Sequence, residues 1–220
     1  YTTLFRSPLV SFCAMPNQAV DIPMKKSIVW LASYPKSGNT WTRIFLANYL
    51  ANRETPLSIN EAHRFCMGDT IPRTYSMVAG RPIDTADLGL TIRLRPRVLR
   101  AIVANNADVN FVKTHNINVV APMEGGELIP PALTRGAIYI MRNPLDMVMS
   151  YARHYNLSHA DAVEHVCHKD NANQPDEMAV AQFLGSWSDH VQSWADKPKF
   201  STLVLRYEDI LDDPEAEFTK

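Results

Sequence analysis

The chain has 220 residues, 46% hydrophobic and 20% charged, with a formal net charge of −1. That composition is globular and sufficient for one sizeable core. The balanced charge excludes a global positive field for nucleic acid or an anionic membrane, and no apolar run reaches the ~18 residues of a membrane-spanning helix. Three scattered cysteines, Cys13, Cys66 and Cys167, make no disulfide framework and point to a reducing, cytoplasmic compartment. The apolar stretch Leu9 to Met15 is short, is preceded by the single Arg6 and lacks a convincing n-region and cleavage site, so it is not read as a secretory signal. Met24-Lys25-Lys26 reads as a native start, which makes residues 1–23 an added extension or a leader and 24–220 the functional domain.

The first predicted strand is Ser27 to Ala32, continuously apolar as in a strand buried on both faces. A helix follows over Asn39 to Asn52, with Trp41, Ile44, Phe45 and Tyr49 on one face. Residues 53–95 are broken by Pro and Gly and read as short helices and loops. A basic helix "PRVLRAIVANN" ends near Asn105. Strands are expected over Val109 to His115 and Ala137 to Met141. Helices are expected over Pro144 to Tyr155, His159 to His168 and Glu177 to Ala195. A last strand, Ser201 to Tyr207, leads into a final helix. Alternating strands and helices imply one α/β domain, a central parallel sheet flanked by helices. Ligands of such sheets bind beyond the carboxyl ends of the strands.

Three polar motifs fall at those ends. "YPKSGNTW", Tyr34 to Trp41, joins the first strand to its helix. Free N–H groups and the dipole at a helix N-terminus attract phosphate or sulfate. Gly38 lets the backbone come close, Ser37, Asn39 and Thr40 add donors, and Lys36 adds a full charge. The Lys precedes the Gly, unlike the usual nucleotide loop. An ordinary helix cap with a surface Lys is the bland alternative. "RNPLDMVMS", Arg142 to Ser150, offers a guanidinium fork and a hydroxyl to a phosphate, unless Arg142 pairs with Asp146. "FVKTHN" places His115 at a strand end, either as a general base or as a structural histidine. His165 and His168 lack further ligands at metal spacing, so no metal is expected. The Trp187 to Trp194 stretch, with Phe183, reads as core, and His190 as a buried or bridging histidine.

With "GSWSDHVQSW" and "RYEDILDDP", these motifs stand in the order seen in sulfotransferases that use 3′-phosphoadenosine 5′-phosphosulfate (PAPS), and the chain resembles that family from about residue 27 to 220. The wording is similar to the soluble, cytosolic type, and bacterial enzymes that sulfate natural products also look like this. The resemblance implies a P-loop-like phosphosulfate-binding loop and metal-independent sulfuryl transfer, with 3′-phosphoadenosine 5′-phosphate (PAP) as product. It implies that Lys36 contacts the phosphosulfate and that Ser37, Gly38, Asn39 and Thr40 cradle the 5′-phosphate. Trp41 stacks on the adenine and Tyr207 approaches its edge. Arg142 and Ser150 hold the 3′-phosphate. His115 takes the proton of a small-molecule hydroxyl or amine acceptor, and Lys113 helps neutralise the sulfuryl group. Asn39 stands where many relatives have Thr. The family's usual Gly-rich and basic closing loop after the "YED" helix does not occur before Lys220, so weak donor binding is expected of a chain ending there. A PAPS- or PAP-binding protein without turnover and, less well fitted, a P-loop nucleotide kinase are the alternatives. Residues 53–95 and the helices from His159 onward are expected to shape the acceptor pocket.

Overall fold

The computed structural model describes residues 25–62, 64–121, 126–196 and 198–220. The Leu9 to Met15 stretch and the Met24 start lie outside them. Five parallel strands form the central sheet: β1 (Ile28–Ser33), β2 (Cys66–Gly68), β3 (Asn110–Thr114), β4 (Thr134–Met141) and β7 (Thr202–Arg206), in the order β2-β3-β1-β4-β7. Two-residue strands β5 (Ala172–Asn173) and β6 (Gln182–Phe183) pair antiparallel apart from it.

Alternation along the strands explains the layers, because successive side chains point to opposite faces. Ile28, Trp30 and Ala32 of β1 join Val112, Ala137 and Tyr139 on one face. There they meet α3 (Pro72–Ala79), α4 (Leu88–Val103) and α7 (Trp187–Ala195) through Tyr75, Leu99 and Trp194. Leu31, Ile138 and Ile140 point to the other face, against Trp41 and Leu46 of α1 (Asn39–Ala51), Ile210 of α8 (Tyr207–Asp212) and Phe218 of α9 (Pro214–Phe218). A third cluster packs α5 (Pro144–Tyr155) and α6 (His159–Cys167) around Tyr34. The expected parallel sheet flanked by helices is therefore present.

Three local expectations change. The irregular segment 53–95 holds α2 (Ile59–Ala62), α3, the start of α4 and the edge strand β2, too short for a periodic signal. The basic helix begins at Leu88 rather than Pro96, because Asp87 caps it by accepting a 2.8 Å bond from the Leu90 N–H. Pro96 sits inside it, where buried Ile92, Val98 and Leu99 offset a cost of about 3 kcal/mol. The helix expected over Glu177 to Ala195 starts only at Trp187. Gly185 has φ +66°, and Ser186 caps the helix through the Asp189 N–H at 3.1 Å. The residues before it form β6 instead.

Candidate active site

The neighbours of β1 are β3 and β4, so the chain switches direction across the carboxyl end of β1, where a crevice opens. A cleft of about 1870 Å³ lies there, and every sequence-predicted site residue except Ser37 lines it. Ser37 is buried, with its Oγ unpartnered.

The loop after β1 is held in an uncommon backbone shape. Lys36 is left-handed at φ +67° and Gly38 has φ +101°. Arg142, just past β4, donates from Nη1 to the Lys36 carbonyl at 3.0 Å, and its guanidinium carbon lies 4.6 Å from the Tyr207 ring centroid. The expected competitor for Arg142, Asp146, forms no ion pair with it among the described residues. Tyr207 also packs edge-on to Trp41, with centroids 6.1 Å apart. It covers Gly38 so closely that a Cβ there would stand 2.4 Å from Tyr207 Cδ2. Gly38 is thus required twice, by its backbone angle and by the ring above it.

Asn39 behaves differently from its implied part in a phosphate cradle. Its side-chain amide turns back, donating to the Leu31 carbonyl at 3.0 Å and the Ser33 hydroxyl at 3.3 Å. It ties α1 to β1 and leaves the backbone N–H as its contribution to the loop. The first helical bond of α1 is Thr42 N–H to the Gly38 carbonyl, so the N–H groups before Thr42 have no partner within the helix. Orphaned donors also include the buried Nε of Arg142. This inventory fits an oxyanion-bearing ligand: fixed N–H groups, a cleared Gly and cations at Lys36 and Arg142.

His115 follows β3. Its Nδ1 lies 2.7 Å from the Ser33 carbonyl, which can only accept, so Nδ1 carries the hydrogen and Nε2 keeps its lone pair. Burial pushes the ring well below the ordinary histidine range, and the neighbouring Lys113 charge pushes the same way. The bond to Ser33 opposes both and is outweighed. At neutral pH the ring is therefore a neutral base. Lys113 is lowered by its own burial and by the Arg43 charge.

His190, expected as a buried or bridging histidine, is both, but the residues it joins and the others that hold this imidazole were not legible in the sequence. His190 of α7 accepts from the Tyr139 hydroxyl on Nδ1 at 2.9 Å, and its Nε2–H donates to the His115 carbonyl at 3.1 Å. The next turn repeats the clamp, with Trp194 Nε1 donating to the Asn116 carbonyl at 3.1 Å and Ser193 Oγ accepting from Asn118 N–H at 3.1 Å. This gives the "HVQSW" run its place: it fastens the chain that carries His115. Underneath, the buried carboxylate of Asp69 pairs with Arg95 at 2.7 Å and accepts from Thr114 Oγ1 at 2.8 Å and Asn116 Nδ2 at 3.1 Å. The partners are 26 to 47 residues apart, so no local spacing marks them. Serine spacing in "SWSD", by contrast, is a readable capping signal for α7.

Residues 26–220 match the family profile of the sulfotransferase domain. The chain is 26% identical over 234 residues to mouse sulfotransferase 1 family member D1, covering 99% of this chain and 68% of that protein. It is 26% identical to dog sulfotransferase 1B1 (86% of this chain, 56% of that protein) and 27% identical to rat sulfotransferase 1A1 (97% and 61%). The crystal structure of retinol dehydratase in complex with retinol and PAP has a similar fold, with a TM-score of 0.50 at 21% identity, covering 88% of this chain and 58% of that one. The chain thus spans between about half and two thirds of the length of these relatives. A profile that matches the chain from just before β1 to Lys220, over the whole of this cleft, shows that the chain belongs to the sulfotransferase domain family.

Proposed function

We propose that residues 24–220 form a PAPS-dependent sulfotransferase unit, moving a sulfuryl group to a hydroxyl or amine of a small-molecule acceptor, with PAP as the second product. The observation that carries this reading is the state of His115: a half-buried, neutral imidazole whose Nε2 keeps its lone pair, two residues from Lys113, in the cleft shared by the Lys36 loop and Arg142. The donor supplies an activated sulfur–oxygen bond to phosphate. Sulfuryl transfer resembles phosphoryl transfer, with in-line attack and a loose transition state, so the protein's task is alignment and charge stabilisation. His115 Nε2 takes the proton of the acceptor as its oxygen or nitrogen bonds to sulfur. Lys36 and the loop N–H groups stabilise the oxygen that leaves with the phosphate, and Lys113 faces the sulfuryl oxygens.

The nucleotide end follows the same reading. Backbone N–H groups of Ser37 to Thr40 hold the 5′-phosphate, and Trp41 and Tyr207 flank the adenine. Arg142 and Ser150 hold the 3′-phosphate, the feature that separates this donor from ATP.

Calorimetry with PAP, ATP and ADP tests the ligand class: PAP is expected to bind most tightly, and a preference for ATP would sink the reading in favour of a kinase. Transfer of labelled sulfate to phenols, alcohols and amines then separates an enzyme from a binding protein. His115→Ala is expected to lose about 10²–10⁴ in turnover, with PAP affinity retained. Full activity in that variant rejects His115 as the base.

A further inference from the structure

Arg43 has no part in the reading above. It lies on α1 one turn after Asn39 and lines the cleft. Its Nε is buried with no hydrogen-bond partner, and no carboxylate pairs with it among the described residues. Among the described residues no carboxylate pairs with Lys113 either. Arg43 is near enough to Lys113, His115 and Cys66 for its charge to act on all three. Those residues belong to β3, the chain just after it and β2, on one side of β1. Arg142 and Tyr207 follow β4 and β7, on the other side. Arg43 and Lys113 are thus two cations lining the cleft on the β3 side of β1, the side of His115, away from Arg142 and Tyr207, which are read as holding the nucleotide.

Among the described residues no carboxylate forms an ion pair with either cation. The carboxylate whose charge acts on Lys113 is that of Asp69, already committed to Arg95, Thr114 and Asn116. The Cys66 thiol stays neutral, because burial pushes it up to about 12. Partly buried cations without a counter-charge carry a desolvation cost that an incoming anion relieves. A guanidinium fork suits a planar oxyanion, above all a carboxylate.

We propose that Arg43, assisted by Lys113, is a specificity-determining anion subsite, and that the acceptor carries an oxyanion, a carboxylate in the simplest case, near the group that receives the sulfuryl. The assignment of this side of the cleft to the acceptor rests on the sulfotransferase reading. The test uses calorimetry on the chain, free and saturated with PAP, with 4-hydroxybenzoate and 4-hydroxybenzyl alcohol as a matched pair. Wild type should bind the carboxylate roughly 10–100-fold more tightly, the range of a charge-assisted hydrogen bond. Arg43→Met should abolish the preference, Arg43→Lys should restore part of it, and PAP affinity should be the same in all three. Equal affinity for the two probes in wild type, or no binding of either, overturns the proposal. So does a loss of PAP affinity in Arg43→Met, which would assign Arg43 to the donor. A carboxylate preference that depends on Arg43 in a chain that fails to bind PAP would leave the anion subsite standing and remove the sulfotransferase reading.

Discussion

Replacing Gly38 with Ala should damage both stability and the cleft. The residue sits at φ +101°, ψ 6°. A side chain in such a left-handed conformation costs roughly 1–2 kcal/mol. The added Cβ would also stand 2.4 Å from Tyr207 Cδ2 and 2.8 Å from Cε2, far inside van der Waals contact. Tyr207 cannot yield freely, since Trp41 and the Arg142 guanidinium pack against its ring. Overpacking of this kind costs about 1–3 kcal/mol, so Gly38→Ala should lose roughly 2–5 kcal/mol in all. Relief by moving the loop shifts the N–H groups that face the ligand, and a displacement of about 1 Å can cost about 10²-fold in turnover. Urea unfolding of the four chains in the Gly38→Ala, Tyr207→Ala cycle separates the two contributions. In the Tyr207→Ala background only the backbone cost should remain, about 1–2 kcal/mol. The reasoning is refuted if Gly38→Ala keeps the wild-type unfolding midpoint and PAP affinity. It is refuted equally if the Ala substitution costs as much without the Tyr207 ring as with it.

Three further outcomes follow from the site. Asp69→Ala leaves Arg95 buried without its partner and should cost about 3–5 kcal/mol in urea unfolding; a loss under about 1 kcal/mol would show that the pair does not hold the β3 end. Burial lowers the folded-state pKa of His190 from 6.5 to about 4, so the unfolded chain takes the proton first. Its contribution is fully present above pH 6.5 and is lost as pH falls toward 4, by roughly 3 kcal/mol, with His115 adding in the same direction. His190→Gln should flatten that acid limb, and an unchanged midpoint difference between pH 7 and pH 4.5 would contradict the assignment. Because His115 is also held neutral below its ordinary range, the acid limb of kcat/KM should lie below pH 6.5; a limb above it would mean that another group titrates.

How much of this was legible depends on how far apart the cooperating residues are. The anion loop, Arg142 after β4 and His115 after β3 each sit in a strand-to-loop transition spanning fewer than ten residues. Hydrophobic runs and capping residues therefore locate them without tertiary information. Lys36, Trp41, Lys113 and Ser150 fall within the same motifs, Tyr207 lies in "RYEDILDDP", and all five line the same cleft. The side chain of Asn39 was misread because its two acceptors, the Leu31 carbonyl and the Ser33 hydroxyl, are set by how α1 packs back on β1. The first half of the helix expected over Glu177 to Ala195 is not helical because Gly185, with its positive φ, ends the preceding segment, which apolar spacing alone does not reveal.

The amino-acid sequence alone determined the alternation of strands and helices, hence the parallel sheet, and the chemistry available at its carboxyl edge. It did so because periodicity, caps and strand-end polar residues are local properties. Only the tertiary structure decided that Tyr207 closes over Gly38 and that Ser33 fixes the tautomer of His115. It also decided that α7 clamps the chain behind His115, and that Arg43 of α1 and Lys113 of β3 line one cleft with no carboxylate paired to either among the described residues. Each of these joins residues from different elements through the packing of the sheet, and no spacing along the chain encodes such a meeting.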